Sequence, residues 1–151
     1  MKISTITAQQ VLPIRHQVLW PDKPVDFSQV KGDDTATHYG AFIEGELVSV
    51  GSIFIDGDTA RLRKFATLSA HQGKGVGTAM LHVMLSDLKS SSVKTFWCDA
   101  RESAMAIYQR IGMKAEGERF HKSDIPYFKM QMPVSSKIAN HLSMTYSQIQ
   151  R

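Results

Sequence analysis

The chain is predicted to fold as an α/β (α+β) domain, a mixed, mostly antiparallel sheet with helices on both faces. Three observations carry this expectation. Strand and helix patterns follow one another in a single order, β-α-loop-β-β-β-α-β-α-β-β, with no linker before residue 133. The three β-rich runs in the middle are joined by glycine-containing turns, the pattern of consecutive hairpins. An apolar fraction of 42% and a charged fraction of 21% over 151 residues suit one domain that buries its own core. The domain is expected over 1–133, with a polar tail from 134 to 151 in which Ile138, Leu142 and Ile149 mark one side of a weak helix.

Each element has a local reason. Residues 2–7, KISTIT, alternate apolar and polar and carry β-branched side chains, a short strand. Thr7 and Gln10 form a capping-box pair ahead of the helical run AQQVLPIRHQVL. Pro13 removes a backbone donor inside that run, which predicts a kink or a restart. Residues 20–37, with two prolines and four aspartates, read as one long irregular stretch. HYGAFI, LVSVGSIFI and TARLRKFAT are the three middle strands, although Leu62 and Phe65 do not alternate cleanly in the third. Met80, Leu81, Met84, Leu85 and Leu88 fall at helical spacing after a glycine-rich turn. VKTFWCDA reads as a buried strand, and RESAMAIYQRIG as a helix with Ala104, Ile107, Tyr108 and Ile111 on one face and Gly112 as its stop. MKAEGERF and IPYFKMQM close the chain pattern as two strands joined by HKSD.

Composition excludes several function classes. One cysteine allows no internal disulfide, and six histidines at no ligand spacing predict no metal. That cysteine, Cys98, reads as a small core residue in an apolar strand. No apolar run approaches the ~18 residues of a membrane span. The first twenty residues lack the apolar core of a secretory signal, so a cytoplasmic location is expected. A net charge of +4 suits an anionic ligand, and the absence of a lysine-arginine block argues against nucleic acid.

The most informative segment is Gln72-Gly73-Lys74-Gly75-Val76-Gly77-Thr78, between a strand and a helix. Such a turn presents backbone N–H groups at the positive end of a helix, an anion site suited to phosphate. A tight turn without a ligand is the plainer alternative. The P-loop pattern G-x-x-x-x-G-K-[ST] fails because Lys74 precedes Gly75, and G-x-G-x-x-G fails because the final positions are Thr78 or Met80.

The pattern Q-x-x-G-x-G, carried by Gln72, Gly75 and Gly77, resembles the acyl-CoA pyrophosphate loop of the GNAT superfamily of N-acetyltransferases. Ala104, Tyr108, Gly112 and Met113 resemble a second motif of that family, A-x-x-x-Y-x-x-x-G-[F/M]. Arg101 departs from the asparagine often found there. HQVLW, the loop with Asp34, and THYG are similar to a group of uncharacterised bacterial-type members. The resemblance implies acetyl-CoA as cosubstrate and two central parallel strands, 61–67 and 95–99, that splay at their C-terminal ends. Backbone groups of Phe65, Ala66 and Thr67 would pair with the pantetheine arm, and the segment from Gln72 and Gly73 through Lys74, Gly75, Val76 and Gly77 to Thr78 would hold the pyrophosphate. A small-molecule or peptide amine would attack the thioester directly. Lys74 and Lys94 would neutralise phosphates. The resemblance leaves room for a homodimer.

Tyr108 matches the family tyrosine that points its hydroxyl at the CoA sulfur, so it is the candidate general acid; packing on the helix face is its alternative reading. The base stays open among Asp99, Glu102, His38, His121 and water, because the strand TARLRKFATL has no carboxylate where the family often has glutamate. Asp26, Asp33 and Asp34 are candidates to hold a cationic amine. Trp20, Phe27, Phe120 and Tyr127 are candidates to wall its cleft. A non-catalytic acyl-CoA-binding module of the same fold is the rival function.

Overall fold

A computed structural model of the chain describes residues 1–134, so the tail and its expected helix lie outside the described residues beyond Val134. β1 (Lys2–Ile6) leads into α1 (Ala8–Leu19) through the capping box: Gln10 N–H donates to Thr7 Oγ1 at 3.2 Å, and Thr7 N–H to Gln10 Oε1 at 2.8 Å. α1 runs through Pro13 without the expected restart. The donor that Pro13 lacks would have met the carbonyl of Gln9, an exposed residue within reach of water.

β2 (Thr37–Ile43), β3 (Glu46–Asp56) and β4 (Thr59–Thr67) form the antiparallel meander read from the glycine turns. Then come α2 (Val76–Lys89), β5 (Thr95–Arg101), α3 (Met105–Arg110), β6 (Lys114–Lys122) and β7 (Ile125–Pro133). The helix predicted from residue 101 starts later. Arg101 still pairs with Tyr127 in the sheet, and Glu102–Ala104 is a 3-10 turn. It ends as expected at Gly112, whose φ of 106° lets Met113 N–H reach back to the Tyr108 carbonyl at 3.0 Å.

The strands form one sheet in the order β1-β2-β3-β4-β5-β7-β6, antiparallel throughout except for β4 and β5. Helices cover both faces, as strand alternation shows. A Cβ on Gly51 would sit 2.7 Å from Met84 of α2, whereas its neighbours Val50 and Ser52 meet α1. The predicted stripe of α2 is the heart of the larger core, with Met80, Leu81 and Met84 fully buried. α1 seals the other face with Val11 and Ile14 against Val50 and Ala66.

Two irregularities in β4 create the site. Ser52 pairs with Arg63 but Val50 pairs with Ala66, so Lys64 and Phe65 together face Gly51 alone. This bulge needs a left-handed residue, and Lys64 takes φ 54°. It explains the broken alternation of ARLRKF: Leu62 and Phe65 both turn to the α2 side, and Ala66 turns to α1. The second irregularity is a fork. β4 pairs with β5 only from Thr59–Thr95 to Leu62–Cys98. Beyond that point β4 stays with β3 up to Thr67, and β5 stays with β7 up to Arg101. The inner edge of β4 from Arg63 onward therefore has no strand beside it.

Candidate active site

The fork opens into a cleft of about 490 Å³. β4 lines it from Arg61 to Phe65, β5 contributes Cys98, Asp99 and Arg101, and α3 contributes Tyr108. The end of α1 closes one side with Val18, Leu19 and Trp20, and the β6–β7 hairpin closes another with Lys122, Ser123 and Tyr127. Gln72 stands at the rim, where the glycine turn begins.

The three glycines of that turn are required for two different reasons. Gly73 and Gly75 have φ of 73° and 84°, and a Cβ on either would meet nothing within 4 Å; their backbone angles demand glycine. Gly77 is helical, and a Cβ there would lie 2.9 Å from Ile107 Cδ1 and 3.3 Å from Phe65 Cζ. It lets α2 press against β4 and α3. No side chain caps α2 and no acid stands in its first turn. The first helical bond runs from Ala79 N–H to the Gly75 carbonyl at 3.0 Å, so Val76, Gly77 and Thr78 point N–H groups outward without helical partners. Lys74 is exposed on the turn. Lys94 is not near it: it precedes β5 beside Asp58, at the closed end of the fork. The Gln72 side chain is used inside the turn, donating through Nε2 to the Thr67 carbonyl at 2.8 Å. That carbonyl is thus engaged, and the Ala66 carbonyl accepts from Ser49 Oγ at 3.1 Å, while no strand pairs with the inner edge of β4 beyond Leu62.

Tyr108 is 7% exposed, with its ring 6.3 Å from that of Phe65 and its hydroxyl hydrogen-bonded to the Cys98 thiol. Burial, then the neighbouring thiol, push the phenol pKa far up, so it remains a proton donor at neutral pH. Burial chiefly, with Asp99 adding, pushes the Cys98 thiol up to about 12. A thiol held in that form is a poor nucleophile, consistent with the packing role expected for Cys98.

Of the residues considered as base, only Asp99 lines the cleft. Its Oδ2 accepts from both Arg61 and Lys122 at 3.0 Å. Glu102 is paired with Arg119 at 2.8 Å on the surface, and His121 is exposed on β6. His38 is buried on the far side of β3, its Nδ1 2.6 Å from Ser52 Oγ and its Nε2 2.7 Å from the Asp33 carbonyl oxygen. Its role is to hold the loop before β2.

The aspartates expected to bind an amine do not line the cleft. Asp33 is instead clamped by Arg15, a residue the sequence reading did not single out. Arg15 is 0% exposed and donates from Nη1 and Nη2 to the two carboxylate oxygens at 2.8 and 2.9 Å. It also bonds Ser52 Oγ at 2.9 Å and the Ser28 carbonyl at 3.0 Å. Burial pushes the Asp33 carboxyl up, but the bonds from Arg15 and Val30 N–H and the nearby positive charges outweigh it, and its pKa is lowered. The signal for Arg15 was its place four residues after Val11, on the apolar stripe of α1. Of the four aromatics considered, Trp20 and Tyr127 line the cleft. Phe27 stacks edge-on to Trp20 at 5.4 Å but is 51% exposed, and Phe120 lies behind Tyr127 at 5.8 Å.

A mixed sheet forked between two parallel strands, with a glycine turn leading a helix at the fork, defines an acyl-CoA-dependent acyltransferase fold. Residues 6–134 match the family described as acetyltransferase (GNAT) domain, and the chain belongs to that acetyl-CoA-dependent N-acetyltransferase family. An uncharacterized N-acetyltransferase of Bacillus subtilis, YitI, is 29% identical over 135 residues, covering 83% of this chain and 89% of that protein. Among solved structures, the ribosomal-protein-S18-alanine N-acetyltransferase of Escherichia coli superposes with a TM-score of 0.74 at 19% identity, over 89% of this chain and 94% of that one. A GNAT family acetyltransferase of Elizabethkingia anophelis with acetyl-CoA bound gives 0.67 at 17% identity, over 87% and 97%. Among the described residues no helix is long and apolar enough to cross a membrane.

Proposed function

We propose that the protein moves an acetyl group from acetyl-CoA to a primary amine by direct attack within a ternary complex. The observation that carries this reading is the fork: the inner edge of β4 has no strand beside it past Leu62, and there Phe65 stands between Gly77 of the helix start and the ring of Tyr108. The pantetheine arm adds to that edge as an extra strand. Its pyrophosphate meets the outward N–H groups of Val76, Gly77 and Thr78, with Gly73 and Gly75 giving the backbone its approach and Lys74 adding charge. The thioester then reaches the fork beside Tyr108.

The amine nitrogen attacks the thioester carbonyl carbon, and the carbon–sulfur bond breaks as the tetrahedral adduct collapses. Tyr108 donates its proton to the departing sulfur. Because burial disfavours the phenolate, that proton is replaced at once, and the ammonium proton released by the new amide supplies it through water. β4 offers no carboxylate for this task, and none is needed once the amine enters uncharged.

Tyr108→Phe tests the reading, since only the oxygen is lost. Turnover, read as released CoA thiol, is expected to fall ~10²-fold with CoA affinity nearly unchanged. Turnover within about threefold of the parent would make Tyr108 a packing residue. The engagement of Asp99 by two cations favours a second reading, an acyl-CoA-binding module without turnover. Acetyl-CoA raising the Tm while no amine releases thiol would select it.

A further inference from the structure

We infer that the acceptor amine carries an anionic group, a carboxylate or a phosphate, bound by the basic wall of the cleft. The inference rests on the transferase reading above and deepens it. Arg61, Arg63, Lys64, Arg101 and Lys122 all line the cleft, against the single carboxylate of Asp99. Asp99 is already shared by Arg61 and Lys122. Arg63, Lys64 and Arg101 have no ion-pair partner among the described residues.

Arg61, Arg63 and Arg101 face the acceptor side, not the glycine turn, since each neighbours a residue of the α2-side core, Leu62 or Ala100. Arg61 lies over the Trp97 ring at 4.6 Å and Arg63 over the Phe54 ring at 5.7 Å. Trp97 and Phe54 alternate with Phe96, Cys98 and Ile53 of the α2-side core, so this is the α1 face of the sheet. The glycine turn leads α2, which packs on the opposite face. The α1 face is also where Val18, Leu19 and Trp20 close the cleft.

Half-burying like charges together is unfavourable in the protein alone. Burial first, and then neighbouring cations, lower the pKa of both Arg63 and Lys64. An anion relieves that repulsion through charge-assisted hydrogen bonds, whereas a polycation adds to it. The same anion fixes the direction in which a small amine enters, with its nitrogen left to point at the fork.

The test offers acetyl-CoA with matched amines: β-alanine against β-alaninamide, O-phosphoethanolamine against ethanolamine, and spermidine as a polycation. Released thiol gives kcat and KM. Calorimetry with the CoA complex gives binding of the same amines and of their N-acetyl products. The anionic member of each pair is expected to win by about tenfold in kcat/KM, the worth of one charge-assisted hydrogen bond, with spermidine last. Which pair shows the larger ratio separates carboxylate from phosphate. Arg63→Gln and Arg101→Gln should raise KM for the anionic amines and leave that for ethanolamine unchanged, with Arg63→Lys restoring part of the loss. Lys89→Gln, on the far end of α2, should change neither.

Ethanolamine or spermidine used as well as the anionic amines would overturn the inference and leave the transferase reading standing. Anionic amines or their products binding without thiol release would uphold the basic subsite and sink the transferase reading. No binding of any anionic amine or product at millimolar concentration overturns the subsite.

Discussion

Across the fork, the glycine turn and the basic wall are built from different materials. The turn offers backbone: two left-handed glycines, three outward N–H groups, and one side chain, Gln72, tied back on the chain. The wall offers side chains: arginines and a lysine on β4, others on β5 and β6, and aromatic rings beneath them. Backbone can hold only what every family member shares, because its donors are the same whatever the sequence. Side chains can vary freely, so the basic wall is where one member's acceptor can differ from another's. The contrast also separates two kinds of support. The turn stands on dihedral angles and helix packing. The loop over the α1 face stands on one buried ion pair.

Breaking that ion pair is the largest expected effect. Asp33→Ala leaves the guanidinium of Arg15 buried without its counter-charge and should cost about 3–5 kcal/mol in denaturant unfolding. The glycine turn lies apart from it, so the stabilisation by acetyl-CoA of whatever remains folded should persist. Acid does the same more gently. The folded Asp33 carboxyl titrates below its ordinary 3.8. Its contribution is therefore complete above that pH and is lost as pH falls through the depressed folded value. A pH series of Tm should show this decline in the parent protein and a weaker one in Asp33→Asn.

The turn is tested by its two kinds of glycine. Gly75→Val forces a β-branched residue to positive φ, at about 1–2 kcal/mol, and should abolish the Tm rise given by acetyl-CoA. Gly77→Ala meets the movable end of Ile107, so its expected cost is the lower end of an overpacking penalty, about 1 kcal/mol, with CoA affinity retained. Equal loss of affinity in both variants would erase the distinction drawn between them. Gln72→Ala should be the mildest, about 1 kcal/mol for one hydrogen bond, read in the Tm without ligand.

The same contrast decides what the sequence disclosed. Dihedral requirements are local, so Gly75 and the stop at Gly112 could be read directly, and the strand order followed from turn residues between alternating runs. Arg15 could not be read so easily. Its partners lie 18 and 37 positions away, and only the fold joins them. His38 looked chemically convenient for the same reason: nothing near it in the chain announces Ser52 or the Asp33 carbonyl. The uneven alternation of ARLRKF was visible, but its meaning was not. Without the pairing to β3, no observation said that one residue had been inserted opposite Gly51.

That inserted residue limits how the chain can change in length. The first half of β4 sends Leu62 to one layer and the second half sends Ala66 to the other, with Lys64 as the step between them. A different side chain at 64 leaves the step in place only if it accepts the left-handed φ of 54° that Lys64 takes. Deleting the residue would restore regular alternation, leaving Phe65 opposite Gly51 on the α2 side and Ala66 opposite Val50 on the α1 side, so both layers would keep their side chains and only the step would be lost. A further inserted residue has no such escape, because it would turn the half of β4 on one side of it to the wrong layers. Loss of residue 64 should therefore be the one change of length that β4 tolerates among descendants of the chain, while other gaps and insertions should be confined to the turns on either side of the strand.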